Sequence, residues 1–287
     1  MATAQDLKIF RQAVETFYAS FTAAEWARRH GKDWTFADPL YHLTTLQGAL
    51  MESIKGGEIL DDISKMRDMD AWNNAQFAAR PASMTPQQML NDFIASWQSL
   101  EKAAAEMPAD ERVYMPLMRL RGERPMDLLL EYALWHAWFH LTESSIRYNG
   151  RLLPLSSAMQ SRLTEFLLIV IAGMIDKQEA KGAPFVWVIN LTGEGGGTWT
   201  MRFANGIATV ERGAAEKADV TQTSDLVTFL KTSVYQISRP TGAILTRKLR
   251  FTGWGKLRRL LRLITPRRSR DWAALPEDYV LLPQISY

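Results

Sequence analysis

The pattern of hydrophobic and polar positions divides the chain into a helical first part and a mixed second part. Up to residue 181, apolar residues recur every three or four positions, as they do on one face of an α-helix. From Gly182 onward the period shortens to two, and segments such as PFVWVINL and TWTMRF are rich in β-branched and aromatic residues. The predicted fold class is therefore multidomain, with an α domain followed by an α+β domain.

Four long helices are predicted in the first part, and together they indicate a four-helix bundle. They span residues 4–29, 35–55, 85–107 and 128–149. Asp38 before Pro39 favours an N-cap for the second helix, although Thr35 with Asp38 could form a capping-box variant instead. Shorter helical pieces are expected over residues 58–80 and a loop over 108–125.

The second part is predicted to contain short strands followed by short helices. GEGGG and Asn205-Gly206 favour hairpin turns on either side of TWTMRF. Ser224 is expected to cap the short helix DLVTFLKTS. The predicted boundaries are 1–151 for the bundle, 152–181 for a connecting helix and 182–287 for the α+β domain.

The longest amphipathic pattern, LLLEYALWHAWFHLTESSIRY, collects chemically useful residues on one stripe of the fourth helix. The stripe consists of Leu129, Tyr132, His136, His140, Glu143 and Arg147. His136 and His140 are one turn apart, so their imidazoles can converge, and His42 lies in the second predicted helix. Three neutral imidazoles from two helices would form an open metal site with room for water or substrate.

Each of these residues also has a plainer interpretation. The two histidines could be hydrogen-bonded side chains in the seam of the bundle. Glu143 and Arg147 could form an ordinary ion pair, or Glu143 could accept a hydrogen bond from a metal-binding imidazole. Asn73 and Asn74 could bind a substrate carboxylate or carbonyl, or cap a short helix. His30 is interpreted as a charge at the end of the first helix rather than a fourth ligand. The candidate catalytic residues are Asn73, Glu143 and Arg147.

Composition limits the chemistry and the compartment. The chain has no cysteine, so any thiol chemistry needs a thiol from outside, and a reducing cytoplasm is consistent with this. The start, MATAQDLKIFRQ, lacks the basic flank and apolar run of a signal peptide. The most apolar segment, Phe166 to Ile175, is too short to span a bilayer. We therefore expect a cytoplasmic protein.

Basic residues crowd near the C-terminus, where residues 247–270 contain no acidic residue. An apolar stripe runs beside them and consists of Leu257, Leu260, Leu261 and Ile264. A helix at a membrane surface would have this pattern, and so would a last helix packed on a sheet. The second interpretation is preferred because the fold then accounts for the stripe. Nucleic-acid binding is not expected, since the sequence contains no recognised nucleic-acid-binding motif.

The first part resembles the DinB-like superfamily, which includes the N-terminal domain of mycothiol-dependent maleylpyruvate isomerases. The motifs that carry the resemblance are WTFADPLYH, MRDMDAWNNAQ and HAWFH, within residues 5–150. In that superfamily one ligand from the second helix and two from the fourth bind a divalent metal. The resemblance therefore implies that His42, His136 and His140 hold zinc, nickel or iron.

The second part resembles the sterol-carrier-protein type-2 fold. The segments that carry this resemblance are TWTMRFANGIATVERG, KADVTQTSDLVTFL and PTGAILTRKLRFTGWGKLRRLL. It implies a small sheet with helices around an apolar tunnel. Relatives of maleylpyruvate isomerase combine the same two modules, and in them the second domain helps to wall the active site.

The two resemblances together favour a metal-dependent enzyme. It would use a low-molecular-weight thiol to catalyse a transfer or an isomerisation on a small-molecule substrate. The alternative is a carrier of lipid or another apolar ligand, in which the C-terminal domain is the binding part.

Overall fold

The computed structural model describes residues 2–31, 34–56, 66–115 and 122–264. The described residues form two compact units, which divide between Pro154 and Leu155. The helix that was expected to connect the two domains lies in the second unit.

Helices dominate the described part of the first unit, and two short hairpins accompany them. The helices are α1 (Ala4–Tyr18), α2 (Ala23–Ala27), α3 (Asp38–Ile54), α4 (Met66–Ala79), α5 (Pro86–Glu106) and α6 (Met126–Asn149). The hairpins pair β1 (Arg29–His30) with β2 (Trp34–Thr35), and β3 (Arg112–Met115) with β4 (Gly122–Pro125).

The long helices α1, α3, α5 and α6 pack against one another, as the predicted bundle requires. Helix α5 packs through its apolar face. The residues of that face are buried at the predicted helical spacing, namely Met89, Phe93, Trp97 and Leu100. Helix α5 begins where predicted, after Thr85, whose side chain forms a capping box with Gln88.

The first predicted helix is shorter than expected. It ends at Tyr18, and α2 begins after Thr22, which forms a capping box with Glu25. This second cap lets the chain turn, and the hairpin of β1 and β2 then replaces the expected loop. The loop expected over residues 108–125 likewise contains the β3–β4 hairpin in its described part.

Asp38 is not the N-cap of α3, because Ala37 occupies that position and Asp38 is the first helical residue. The Asp38 carboxylate accepts hydrogen bonds from the backbone and hydroxyl groups of Thr35, and it forms an ion pair with Arg80. The alternative prediction, a capping-box variant formed by Thr35 with Asp38, agrees better with these contacts.

The described part of the second unit is a five-stranded sheet with helices. Its strands are β5 (Phe185–Thr192), β6 (Gly197–Ala204), β7 (Ile207–Arg212), β8 (Val220–Asp225) and β9 (Leu249–Thr252). Its helices are α7 (Ser157–Gly173), α8 (Lys177–Ala180), α9 (Leu226–Phe229), α10 (Pro240–Leu245) and α11 (Trp254–Ile264), and a π-helical turn (Leu230–Val234) follows α9.

The strands lie in the order β7-β6-β5-β8-β9, so β9 is an edge strand. Strands β5 and β8 are parallel, and the other neighbours are antiparallel. Large side chains fill the core of this unit, including Phe185, Trp187, Trp199, Phe203 and Phe229.

The structure of the second unit confirms the predicted turn at Asn205-Gly206 and corrects two other predictions. Asn205 and Gly206 have φ values of 54° and 79°, as the predicted tight turn requires. Asp225, rather than Ser224, caps α9 through a 2.8 Å hydrogen bond from the Thr228 backbone. In α11, Leu260 is buried as predicted, but Leu261 is 52% exposed.

None of the helices in the described residues is long and apolar enough to cross a membrane.

Candidate metal centre

Two helices of the first unit bring three histidines together. Helix α6 carries His136 and His140 on adjacent turns, and α3 carries His42. Helix α6 is held in place by its largely buried apolar surface, and it ends at Gly150, whose φ of 79° is left-handed. The positions of the ligands thus follow from two packed helices rather than from a loop.

The geometry of the three imidazoles fits one metal ion. One ring nitrogen from each of His42, His136 and His140 lies within 4.8 Å of the other two. The Nε2 atoms of His136 and His140 are 3.1 Å apart. Zinc–nitrogen bonds of about 2.0–2.1 Å in a tetrahedral site place neighbouring nitrogens about 3.3 Å apart. The spacing of the His136 and His140 nitrogens is close to this value.

Burial keeps these imidazoles neutral. It lowers the pKa of His42 to about 4, against a smaller opposing effect of Asn73. Burial also lowers the pKa of His136 and of His140 well below the ordinary value, and the neighbouring histidines act in the same direction. At neutral pH each ring therefore offers the lone pair that a metal needs.

Aromatic rings surround the triad. Trp34 lies with its ring centroid 5.3 Å from that of His42 and 5.7 Å from that of His140. Tyr132 is stacked on His136 at 5.8 Å with an interplanar angle of 5°. Trp34 opens the motif WTFADPLYH, and the β1–β2 hairpin is what brings its ring to the histidines.

Asn73 is the candidate catalytic residue that lies beside the triad. It is a half-buried residue of α4, and its side chain raises the pKa of His42, although its Oδ1 atom makes no hydrogen bond of good geometry. Asn74 is exposed on the same helix. Both residues lie inside α4, so neither one caps it.

Glu143 and Arg147 pair with each other. The Nε and an amino group of Arg147 lie 2.8 Å and 2.7 Å from Glu143 Oε1. Burial raises the pKa of Glu143, and Arg147 opposes that shift. These contacts match the ion-pair interpretation, and the catalytic role of the two residues stays a prediction.

His30 is placed differently from the expectation. It is 4% exposed and lies in β1, with its Nε2 atom 3.1 Å from the hydroxyl of Ser144. Burial lowers the pKa of His30 to about 4, with a further contribution from Arg147. His30 is therefore a neutral buried residue, not a charge at a helix end, and it lies outside the triad.

A pocket of about 670 Å³ lies within the first unit, and its lining does not include the three histidines. Its lining includes Trp26, Phe77 and Arg80. The Phe77 ring is 5.4 Å from Trp34, which in turn contacts His42. The guanidinium of Arg80 lies 5.5 Å from the Phe77 ring centroid. The pocket thus combines an apolar wall with the ion pair of Arg80 and Asp38.

Comparison with protein families gives a match in the first unit. Residues 7–141 match the model of a family described as Mycothiol maleylpyruvate isomerase N-terminal domain. The matched range contains His42, His136 and His140. A comparison with curated proteins found no match.

Solved structures give weaker similarities. The crystal structure of the mycothiol-dependent maleylpyruvate isomerase matches with 14% identity and a TM-score of 0.46, over 80% of this chain and 90% of that chain. A mutant of that isomerase matches with 16% identity, the same TM-score and the same coverage. The sec-alkylsulfatase Pisa1 from Pseudomonas sp. matches with 14% identity and a TM-score of 0.28, over 86% of this chain and 34% of that chain. TM-scores below 0.5 support no conclusion here, and the likeness of the second unit to sterol carrier proteins stays a prediction.

Proposed function

We propose that this chain is a cytoplasmic metal-dependent enzyme that catalyses a thiol-dependent transfer or isomerisation on a small molecule. The observation that carries the proposal is the convergence of three ring nitrogens, from His42, His136 and His140, within 4.8 Å. The match of residues 7–141 to a family described by a mycothiol-using isomerase supports the thiol. Because the chain has no cysteine, that thiol comes from a small molecule.

The three histidines would hold zinc, nickel or iron. A divalent metal in such a site lowers the pKa of a bound thiol or water and polarises a carbonyl oxygen. Three neutral imidazoles add no charge to the site, so a bound divalent metal would keep its full positive charge. This ligand set favours an anionic fourth partner, such as a thiolate, over a neutral one.

The pocket lined by Phe77 and Arg80 would hold the substrate. A volume of about 670 Å³ falls in the range of sites for small molecules. Arg80, which is ion-paired with Asp38, would offer its remaining N–H groups to a substrate carboxylate, and Phe77 and Trp26 would offer apolar contact to the rest of the ligand. Asn73, beside His42, would donate a hydrogen bond to a substrate carbonyl or carboxylate.

Glu143 and Arg147 would act next to the triad rather than as ligands. Arg147 fixes the carboxylate one turn beyond His140. The Glu143 carboxylate, held by Arg147, would accept a hydrogen bond from a metal-binding imidazole.

Metal content tests the site. Purified protein should contain about one divalent metal per chain, as a three-ligand open site holds. The variants His42→Ala, His136→Ala and His140→Ala should each lose most of that metal. His30→Ala is the matched control, because it removes a buried histidine outside the triad, and its metal content should equal that of the unaltered protein. Equal metal content in all four variants would reject the site.

Cobalt substitution tests the thiol. Cobalt(II) loaded into the metal-free protein should give a charge-transfer absorption band when a low-molecular-weight thiol is added, and His136→Ala should not. Absence of the band with every thiol would reject thiol dependence. Recovery of near-stoichiometric lipid from metal-free protein would instead support the carrier alternative.

A further inference from the structure

Three large hydrophobic side chains within residues 245–261 of the second unit are exposed. Leu245 is 84% exposed, Trp254 is 55% exposed and Leu261 is 52% exposed. In the described residues, only two other large hydrophobic side chains are exposed, and both are less so, Ile9 at 37% and Ile207 at 38%. The concentration of such residues in one short segment calls for a partner.

These side chains lie around the edge strand of the sheet. Leu245 ends α10 just before β9, and Trp254 begins α11 just after it. Trp254 and Leu261 are seven positions apart on α11, so they share one face of that helix. The opposite face is the one that packs, because Leu260 and Leu263 are buried.

The same segment is strongly basic. No acidic residue occurs between Asp225 and Asp271. Three cations of α11 already have partners, since Lys256 pairs with Asp219, Arg262 with Glu179 and Arg259 with a backbone carbonyl. Four exposed cations have no such partner among the described residues, namely Arg247, Lys248, Arg250 and Arg258.

We propose that this β9-edge surface, formed by Leu245, Trp254, Leu261 and the cations Arg247, Lys248, Arg250 and Arg258, docks on an anionic lipid bilayer. Two interactions contribute to this docking. Apolar side chains enter the membrane interface, and cations bind lipid phosphates and carboxylates. Tryptophan suits this position, since its ring is apolar and its N–H is polar. The docking is peripheral and reversible, and it is independent of the metal centre.

Charge and shape together favour a bilayer over a nucleic acid. Cations alone would suit either partner. Nucleic acids bind apolar surface mainly by stacking bases on rows of aromatic rings, and here Leu245 and Leu261 offer no ring. Transfer of exposed aliphatic side chains out of water is favourable, and the lipid interface allows that transfer.

Vesicle flotation with the full chain tests the proposal. The protein should float with vesicles of phosphatidylcholine containing about 30% phosphatidylserine, and it should float much less with phosphatidylcholine alone. Raising the salt from about 0.1 M to about 0.5 M should weaken binding several-fold, because surface charges are screened. Absence of binding to the anionic vesicles would overturn the proposal.

Paired variants separate the two interactions. Arg250→Glu with Arg258→Glu should lower anionic-vesicle binding by about tenfold or more. Trp254→Ser with Leu261→Ser should lower it comparably, and Trp254→Phe should retain most of it. The control is Ile207→Ser with Lys217→Glu, which alters an exposed hydrophobic residue and a cation elsewhere on the same unit. Equal loss in the control, or tight binding of a DNA duplex without vesicle binding, would overturn the assignment to lipid.

Discussion

The neighbours of each histidine, rather than its burial, decide what it can do. His30 and His42 are both 4% exposed, and burial lowers the pKa of each to about 4. Their neighbours differ, because His30 faces the hydroxyl of Ser144 and His42 faces two other imidazoles. The first arrangement is a structural hydrogen bond, and the second is the proposed ligand set.

Acid should destabilise the metal-free protein partly through His30. Its pKa is 6.5 when exposed and about 4 in the fold, so between these values the unfolded chain binds the additional proton. Stability therefore falls as the pH drops from 6.5 to 4, by up to about 3 kcal/mol from this group. The variant His30→Gln should show a smaller loss between pH 7 and 5 in urea unfolding. An unchanged pH dependence would contradict the buried neutral state.

Asn73 should support metal binding through His42. Residues that hydrogen-bond a metal-binding histidine typically increase the metal affinity by about 10–100-fold. Asn73→Leu should therefore weaken zinc binding by about that factor in a chelator competition titration, with little change in helix content. Asn74→Leu, on the exposed neighbour, is the control and should bind zinc normally. Equal affinities of the two variants would show that Asn73 does not act on the site.

The helices illustrate how local signals fix element boundaries. The capping box at Thr85 was readable from the sequence, and α5 begins there. The box at Thr22 was overlooked because the apolar period continues through Phe21, so α1 and α2 were predicted as one helix. Hydrophobic periodicity identifies the buried face of a helix, whereas a capping residue determines where the helix begins.

Removal of the α5 cap should destabilise the first unit. The Thr85 hydroxyl accepts a 3.2 Å hydrogen bond from the Gln88 backbone, and Thr85→Ala leaves that donor without it. We expect a loss of about 0.5–2 kcal/mol in the free energy of unfolding, measured by urea denaturation. Ser99→Ala, on the exposed side of the same helix, should change it by less than about 0.5 kcal/mol. A cap variant as stable as the Ser99 control would contradict the structure.

The whole chain should be cleavable between its two units. Arg151 is exposed and lies outside regular structure between α6 and α7. Limited trypsin treatment should therefore give a fragment that begins at Leu152, identified by mass spectrometry. Arg151→Gln should lose that fragment and keep the others. If no such fragment forms from the unaltered protein, the boundary is not accessible.

The sequence by itself determined which residues could bind a metal and which helices carry them. His42, His136 and His140 were predictable because helical periodicity has a fixed pitch, so one turn of spacing on α6 implies one face. The helix and strand types followed from the same local rule. The edge position of β9 did not, since strand order depends on contacts between distant segments.

Only the tertiary structure decided the surroundings of those residues. It placed Trp34 against the imidazoles, buried His30 and joined Asn73 to His42, because each contact links segments that are remote along the chain. It also divided α11 into a buried face and the exposed face of Trp254 and Leu261. Periodicity identified the apolar residues of α11, but the side that meets the sheet depends on how the helix is rotated, and packing alone fixes that rotation.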